Sequence, residues 1–249
     1  SGTDGYLLCT NGAGSVGWTS PAAAAGGVTC HGTGNTYAGD DAAPSITSAA
    51  TYNTAFGWCT LYSVTSGDFN SAFGAKALLD NTTGHNNTAV GWMSMEANST
   101  GCRNTASGYQ SLRENTTASY NSAVGTYALR QNTTGASNTA VGYISMYANT
   151  TGCKNAAVGE GSLTCNTTGC HLAAFGYGAL CCNTTGNYNT ALGYKSLLVN
   201  TTGCSNTATG YSAMSTNTTG ERNTASGYQA LCANTTGSYS SAFGMYALR

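Results

Sequence analysis

The sequence predicts an all-β fold, a parallel β-solenoid (β-roll) of about twelve seventeen-residue coils behind a non-repetitive N-terminal cap. A unit of the form Asn-Thr-Thr-Gly-x-x-Asn-Thr-Ala-Val-Gly-Tyr-x-Ala-Leu-x-x recurs from Thr47 to Arg249. Ten copies open on an asparagine at strict seventeen-residue spacing, from Asn81 and Asn98 through to Asn217 and Asn234, and two worn copies start at Thr47 and Val64. Such a period is the mark of a stacked repeat. Seventeen residues are too few for a helix pair, and the Asn, Thr and Gly content disfavours helix. One coil per unit, with equivalent residues about 4.8 Å apart, predicts a rod of about 55–60 Å.

Residues 1–46 carry no repeat, are rich in Gly, Ala and Ser, and hold both prolines, Pro21 and Pro44. They are expected to form a cap, linker or subunit-docking segment, with short strands near Tyr6–Cys9 and Val16–Thr19. From residue 47 to 249 the columns of the solenoid can be read by position. Position nine is always Ala, from Ala55 to Ala242, and position eleven always Gly, from Gly57 to Gly244. Position fifteen is Leu or Met, so Leu78, Leu112, Leu129, Leu180, Leu197 and Leu231 are expected to stack as a core spine.

Asn at positions one and seven is expected at turns, where it bonds nearby backbone and tolerates left-handed dihedrals; stacked Asn can also form ladders. Gly at position four is expected to supply a positive φ. If positions nine and eleven face inward, alternation turns ten and twelve outward. The outward stripe then holds Trp58, Trp92, Tyr109 and Tyr143, continued by Tyr177, Tyr194, Tyr211 and Tyr228. An exposed apolar stripe of this length reads as an interface.

Only 7% of residues are charged, and the formal net charge is −1, far from the basic footprint that nucleic acid demands. A nearly uncharged polar surface favours self-association. No apolar run approaches the eighteen or so residues of a membrane-spanning helix, so no membrane span is expected. The chain opens at Ser1 without Met, as a protein with its export signal removed would, and Arg249 falls one residue short of a full copy. The latter is read as an array that continues or as an end that meets another subunit.

Eleven cysteines point to an oxidising, extracellular setting. Cys153 and Cys170 share a column in adjacent coils, as do Cys165 and Cys182. The coil spacing of about 4.8 Å lies within the Cα separation that a disulfide tolerates, and each bridge would close a loop worth about 3 kcal/mol. Cys9 with Cys30 is a third candidate pair. Cys59, Cys102, Cys181, Cys204 and Cys232 have no in-column neighbour in the next coil and are candidates for bonds between chains.

Other chemistry finds little support in the sequence. Cys165 and Cys170 alone have zinc-like spacing, and no second pair follows. The three histidines, His31, His85 and His171, and the nine acids are scattered, so no catalytic site, metal or cofactor is expected. Each opening Asn-Thr-Thr, like Asn86-Asn-Thr, is formally an N-glycosylation sequon, although the turn demands the same residues.

The run Asn138-Thr-Ala-Val-Gly-Tyr and its sisters at Asn87, Asn104, Asn189 and Asn206 resemble the repeats of trimeric-autotransporter (YadA-like) adhesin heads. They are more similar to the NTTG/NTAxGYxAL arrays of bacterial and phage tail-fibre-domain proteins. The opening Gly5-Tyr-Leu-Leu-Cys-Thr-Asn-Gly-Ala-Gly, with Trp18 after it, is similar to the segment that often precedes those arrays. The resemblance implies a parallel β-roll, commonly trimeric, extracellular, and serving attachment or a stalk. The period here exceeds that of adhesin heads, and the array is expected to stand without the chaperone domain or membrane anchor of those families.

The expected function is a structural subunit of an extracellular fibre or filament, self-assembling end to end or as a trimer through solenoid ends and the aromatic stripe. The alternative is an adhesin or tail-fibre shaft, on a cell surface or virion, that binds a cell-surface glycan or receptor. Third comes ice binding through stacked threonines, weakened by the lack of a flat Thr-x-Thr strand.

Overall fold

The structure is a computed structural model. It describes residues 33–249 in full, and the backbone alone of strands β1 (Leu7–Thr10), β2 (Val16–Thr19) and β3 (Val28–His31). Two compact units, Ser1–Thr117 and Ala118–Arg249, make up the chain.

In the first unit β1 and β2 form an antiparallel pair, Leu7 opposite Thr19. β3 pairs antiparallel with β4 (Asn35–Ala38), and β4 then pairs in parallel with β5 (Thr54–Phe56). Parallel stacking continues through β6 (Ser71–Phe73), β7 (Thr88–Val90) and β8 (Thr105–Ser107), with Ala opposite Ala at every step. The stack therefore begins at Asn35, inside the segment read as a cap. Asn35-Thr-Tyr-Ala-Gly39 is a worn coil, which the sequence hides because eighteen residues, not seventeen, separate Asn35 from Asn53.

The second unit repeats the pattern from β9 (Ser122–Val124) to β16 (Ser241–Phe243), one three-residue strand per seventeen-residue coil, all parallel and in register. Two further walls of each coil bond to the next outside the strands. Thr133 N–H donates to Thr150 O at 3.0 Å, and Leu129 N–H to Ser145 O at 3.0 Å. The fold is a parallel β-solenoid, as its period requires, and no described residue lies in a helix.

The interior is half apolar and half amide. Leu78, Leu112, Leu129, Leu180 and Leu197 are fully buried, with Leu231 4% exposed, and the position-nine alanines lie beside them. Asparagines of columns one and seven are buried to the same degree. A buried amide is costly unless bonded, and here each is bonded along the stack. Asn149 Nδ2 donates to Asn132 Oδ1 at 2.7 Å and to Gly152 O at 3.0 Å, while Asn166 Nδ2 donates to Asn149 Oδ1 at 2.8 Å. In column seven the backbone N–H of Asn138 donates to Asn121 Oδ1 at 2.9 Å, and Asn138 Nδ2 to Gly152 O at 2.8 Å. Among the described residues no buried side-chain nitrogen or oxygen lacks a partner.

Two expectations about backbone are corrected. The columns of asparagine do not sit at left-handed dihedrals; the ladder, not the turn, fixes them. Positive φ falls instead on positions six, thirteen and fifteen, as at Asn86 (57°), Met93 (53°) and Met95 (50°). Gly at position four has no positive φ either. A Cβ on Gly152 would lie 2.5 Å from Gly169 O and 2.8 Å from Asn166 Nδ2, so glycine is there to let the asparagine column pass. Position eleven is where glycine supplies a positive φ: at Gly142 it is 131°, and an added Cβ would meet Gly159 backbone at 2.8 Å.

Candidate interaction surface

Each strand turns its central Ala inward and its outer residues to solvent, so column ten is exposed: Val124, Val141, Val158, Phe175 and Leu192 each show more than a third of their surface. The conserved bend at Gly eleven then sets position twelve beside them. Trp58, Trp92, Tyr109, Tyr143, Tyr177, Tyr194, Tyr211 and Tyr228 are all exposed, between 38% and 50%. The sheet thus carries an outward aliphatic column next to an aromatic one.

The aromatic rings stack on one another. Centroids of Tyr177 and Tyr194 are 5.3 Å apart, those of Tyr194 and Tyr211 4.9 Å and those of Tyr211 and Tyr228 5.0 Å, with planes within 11°. Trp92 and Tyr109 stack at 4.9 Å in the first unit. In-register parallel coils set this spacing, because equivalent side chains start about 4.8 Å apart. The consequence is chemical. Each inner ring has both faces covered by its neighbours, and the run presents ring edges and hydroxyls outward. A surface of edges packs against other apolar groups, whereas a ligand seeking an open ring face finds one only where the column breaks. Tyr143, between Thr126 and Glu160 in its column, has no ring stacked on it from that column, but the Tyr127 ring lies tilted beside it, centroids 6.5 Å apart and planes at 56°. Lys195 lies over the ladder, its Nζ 5.1 Å from the Tyr194 centroid and 6.0 Å from that of Tyr177. Interaction with the Tyr194 hydroxyl holds its pKa above the usual lysine value.

A second aromatic column, at position six, escaped the sequence reading. Tyr52 and Phe69 stack at 5.2 Å, and His171 and Tyr188 at 5.0 Å, with Tyr52 61% and Tyr188 62% exposed. The signal was present, since Tyr52, Phe69, Tyr120, Tyr188 and Tyr239 share that position. It was diluted by Asn86, Arg103, Ser137, Lys154 and others between them.

The threonine columns divide. At position two the hydroxyl is spent inside the fold: Thr150 Oγ1 donates to Thr167 O at 3.0 Å, and Thr167 Oγ1 to Thr184 O at 3.1 Å. Position three keeps an exposed hydroxyl row, and threonines of position eight, such as Thr88, Thr105, Thr139 and Thr207, are exposed as well.

Position five has a common task. Its side chain accepts the position-five N–H of the preceding coil: Cys170 N–H donates to Asn187 Oδ1 at 2.7 Å and Asn187 N–H to Cys204 Sγ at 3.3 Å. Cysteine there does what Asp68 and Ser238 do in other coils. Cys153 N–H donates to Cys170 Sγ at 3.0 Å, and the two sulfurs stand 2.8 Å apart as thiols. Cys165 and Cys182 are also thiols, and both lie against Cys181. Burial, then its two sulfur neighbours, push the Cys181 thiol up to about 11.

Of the five cysteines assigned to bonds between chains, Cys59 is buried and cannot reach a second chain; its thiol is pushed up by that burial and by Asp41. Cys102 is held against His85, Sγ to Nδ1 at 3.1 Å. Cys181 has the sulfur neighbours that its column denied it, because they come from column seventeen. Cys204 and Cys232 are half-buried. The side chains of Cys9 and Cys30 lie outside the described residues. Among the described residues no three of His, Cys, Asp and Glu gather as a metal site, and no helix is long and apolar enough to cross a membrane. No protein-family model, curated protein or solved structure matches the chain.

Proposed function

We propose that the protein is a structural subunit of an extracellular fibre or filament, and that it assembles with copies of itself through the exposed face of its sheet. The observation that carries this is the pairing of an aliphatic column (Val141, Val158, Phe175, Leu192) with an edge-presenting aromatic ladder (Tyr177 to Tyr228) on one face. A face of this kind is an interface in waiting. A second copy is the fitting occupant, because its columns carry the same coil spacing, so ring edges and aliphatic side chains can interdigitate in register. Charge does not oppose it: the net charge is −1, with 7% of residues charged. Eleven cysteines favour an oxidising location outside the cell.

A triple variant, Phe175→Ser, Leu192→Ser and Tyr211→Ser, removes three side chains that are already solvent-facing, so the coil remains intact. Sedimentation velocity of the natively purified protein is expected to show assemblies, and the triple variant to sediment as a monomer. Wild-type protein that is monomeric at high micromolar concentration overturns the proposal.

A second reading, a shaft that binds a cell-surface glycan or receptor, is favoured by the interrupted ladder at Tyr143, which has no stacked ring in its own column and only the tilted Tyr127 ring, 6.5 Å away, beside it. Sugars stack on open faces. Glycan binding abolished by Tyr143→Ala, with assembly unchanged, selects this reading.

A further inference from the structure

We propose that Cys153–Cys170 and Cys165–Cys182 are oxidised to disulfides that staple coil 149–165 to coil 166–182, beside a break in the inner asparagine column at Leu172.

Column seven is Asn in every coil from Asn53 to Asn223 except this one. Asn155 Oδ1 still accepts the Leu172 N–H at 2.9 Å. At the next step the relay stops, because leucine has no oxygen to offer the buried N–H of Asn189, whereas Asn189 Oδ1 serves Asn206 N–H at 2.9 Å. The second bond of the column is missing too. Asn155 Nδ2 reaches Gly169 O at 2.8 Å and Asn189 Nδ2 reaches Gly203 O at 2.7 Å, but Leu172 sends nothing to Gly186 O. The same two coils interrupt the tyrosine column at Glu160. They also place Gly161 and Gly178 at position thirteen, where other coils carry a side chain at positive φ. In a stacked repeat, stability is a sum over coils and their nearest-neighbour contacts, so coil 166–182, which lacks both column-seven bonds to the coil that follows it, depends most on its contacts with coil 149–165.

Five of the eleven cysteines lie in those two coils. Columns five and seventeen flank the Asn-Thr-Thr-Gly stretch at either end, so the two pairs pin one wall at both corners. The Cys153 and Cys170 sulfurs, 2.8 Å apart, need approach by less than about 1 Å to reach bonding distance. Cys165 and Cys182 share column seventeen in adjacent coils, at a spacing that a disulfide spans. A disulfide oxidant such as oxidised glutathione completes the chemistry. For each staple two protein S–H bonds are lost and one S–S bond forms, while the oxidant takes the two electrons and two protons and leaves as two glutathione thiols.

The test compares natively purified protein after oxidised glutathione with the same protein after dithiothreitol. Differential alkylation and peptide mass mapping of the oxidised form is expected to find both pairs, with Cys181 free. Tryptic cleavage after Lys154 and Lys195 is expected to be at least tenfold faster in the reduced form. Leu172→Asn, which restores the missing acceptor and donor towards coil 183–199, is expected to slow cleavage after Lys195 in the reduced form. Free thiols or other pairings in the oxidised protein overturn the proposal, as do equal cleavage rates. A reduced Leu172→Asn protein still cleaved as fast as reduced wild type rules out the link to the column break, and a Leu172→Asn protein that fails to fold contradicts a column that welcomes Asn. The staples are within one chain, so a stapled monomer would end the assembly reading and leave this one standing.

Discussion

At the residue scale the repeat is governed by what can be stacked on itself every seventeen residues. Gly142 shows the limit on size and backbone together, with φ at 131° and the next coil's Gly159 in contact range of any added Cβ. Replacing it with alanine incurs both an unfavourable dihedral and a displaced coil. Gly142→Ala is expected to lower stability by at least about 3 kcal/mol, measured by urea denaturation. Leu78 and its column-mates meet the opposite condition, holding φ near 50° in a bulky residue, a cost that full burial of the side chain offsets. Cys181 gives a pH signature. Unfolded, a thiol ionises near the ordinary value of 9.0; folded, Cys181 does so at about 11. Between those values the unfolded chain has released the proton and the folded one retains it. The folded state binds more protons, so stability falls as pH rises through that window. Reduced wild type is expected to lose stability from pH 9 to 11, and Cys181→Ser to lose less; parallel melting curves over that range would refute the assignment.

At the scale of the element, the strand is three residues long, shorter than most strands in globular proteins, and survives because each is bonded to a neighbour on either side. The sequence shows this well. Alternation of Ala nine against columns ten and twelve predicted which side chains face solvent, and the Leu/Met spine was legible because position fifteen is Leu or Met in every copy. What it hid were relations that periodicity cannot express. Asn35 starts the stack under an eighteen-residue offset. Cys181 meets Cys165 across two different columns. Gly four and Gly eleven look alike as letters, yet one yields space to an amide ladder and the other bends the chain. The asparagines were read chiefly as turn residues because propensity describes a residue by its own backbone, whereas here the bond partner lies seventeen residues away. The spine is also where an element fails most simply. Leu180→Ala empties a fully buried site and is expected to cost about 2–5 kcal/mol, read as a lower melting temperature.

For the molecule as a whole, a stack built from nearest-neighbour contacts tolerates the loss of a member but not of a fraction of one. Deleting residues 200–216 joins Val199 to Asn217 and restores every column, Asn183 then meeting Asn217. Deleting eight residues from the same place turns the inward set outward. The first variant is expected to fold with nearly unchanged circular dichroism, and the second to be insoluble or disordered; equal outcomes would contradict the register. The column-one ladder has one more consequence. From Asn149 to Asn234 every side-chain amide points its N–H toward the preceding coil and its oxygen toward the following one. Backbone bonds run both ways along the stack, as Thr207 N–H to Asn223 O and Gly210 N–H to Leu192 O, and cancel in part. The side-chain amides, each a dipole of about 3.5 D, do not. Column one of the second unit is therefore a line of aligned dipoles, and in a protein this poor in formal charge such a line favours a neighbouring copy whose own column runs in the opposite direction.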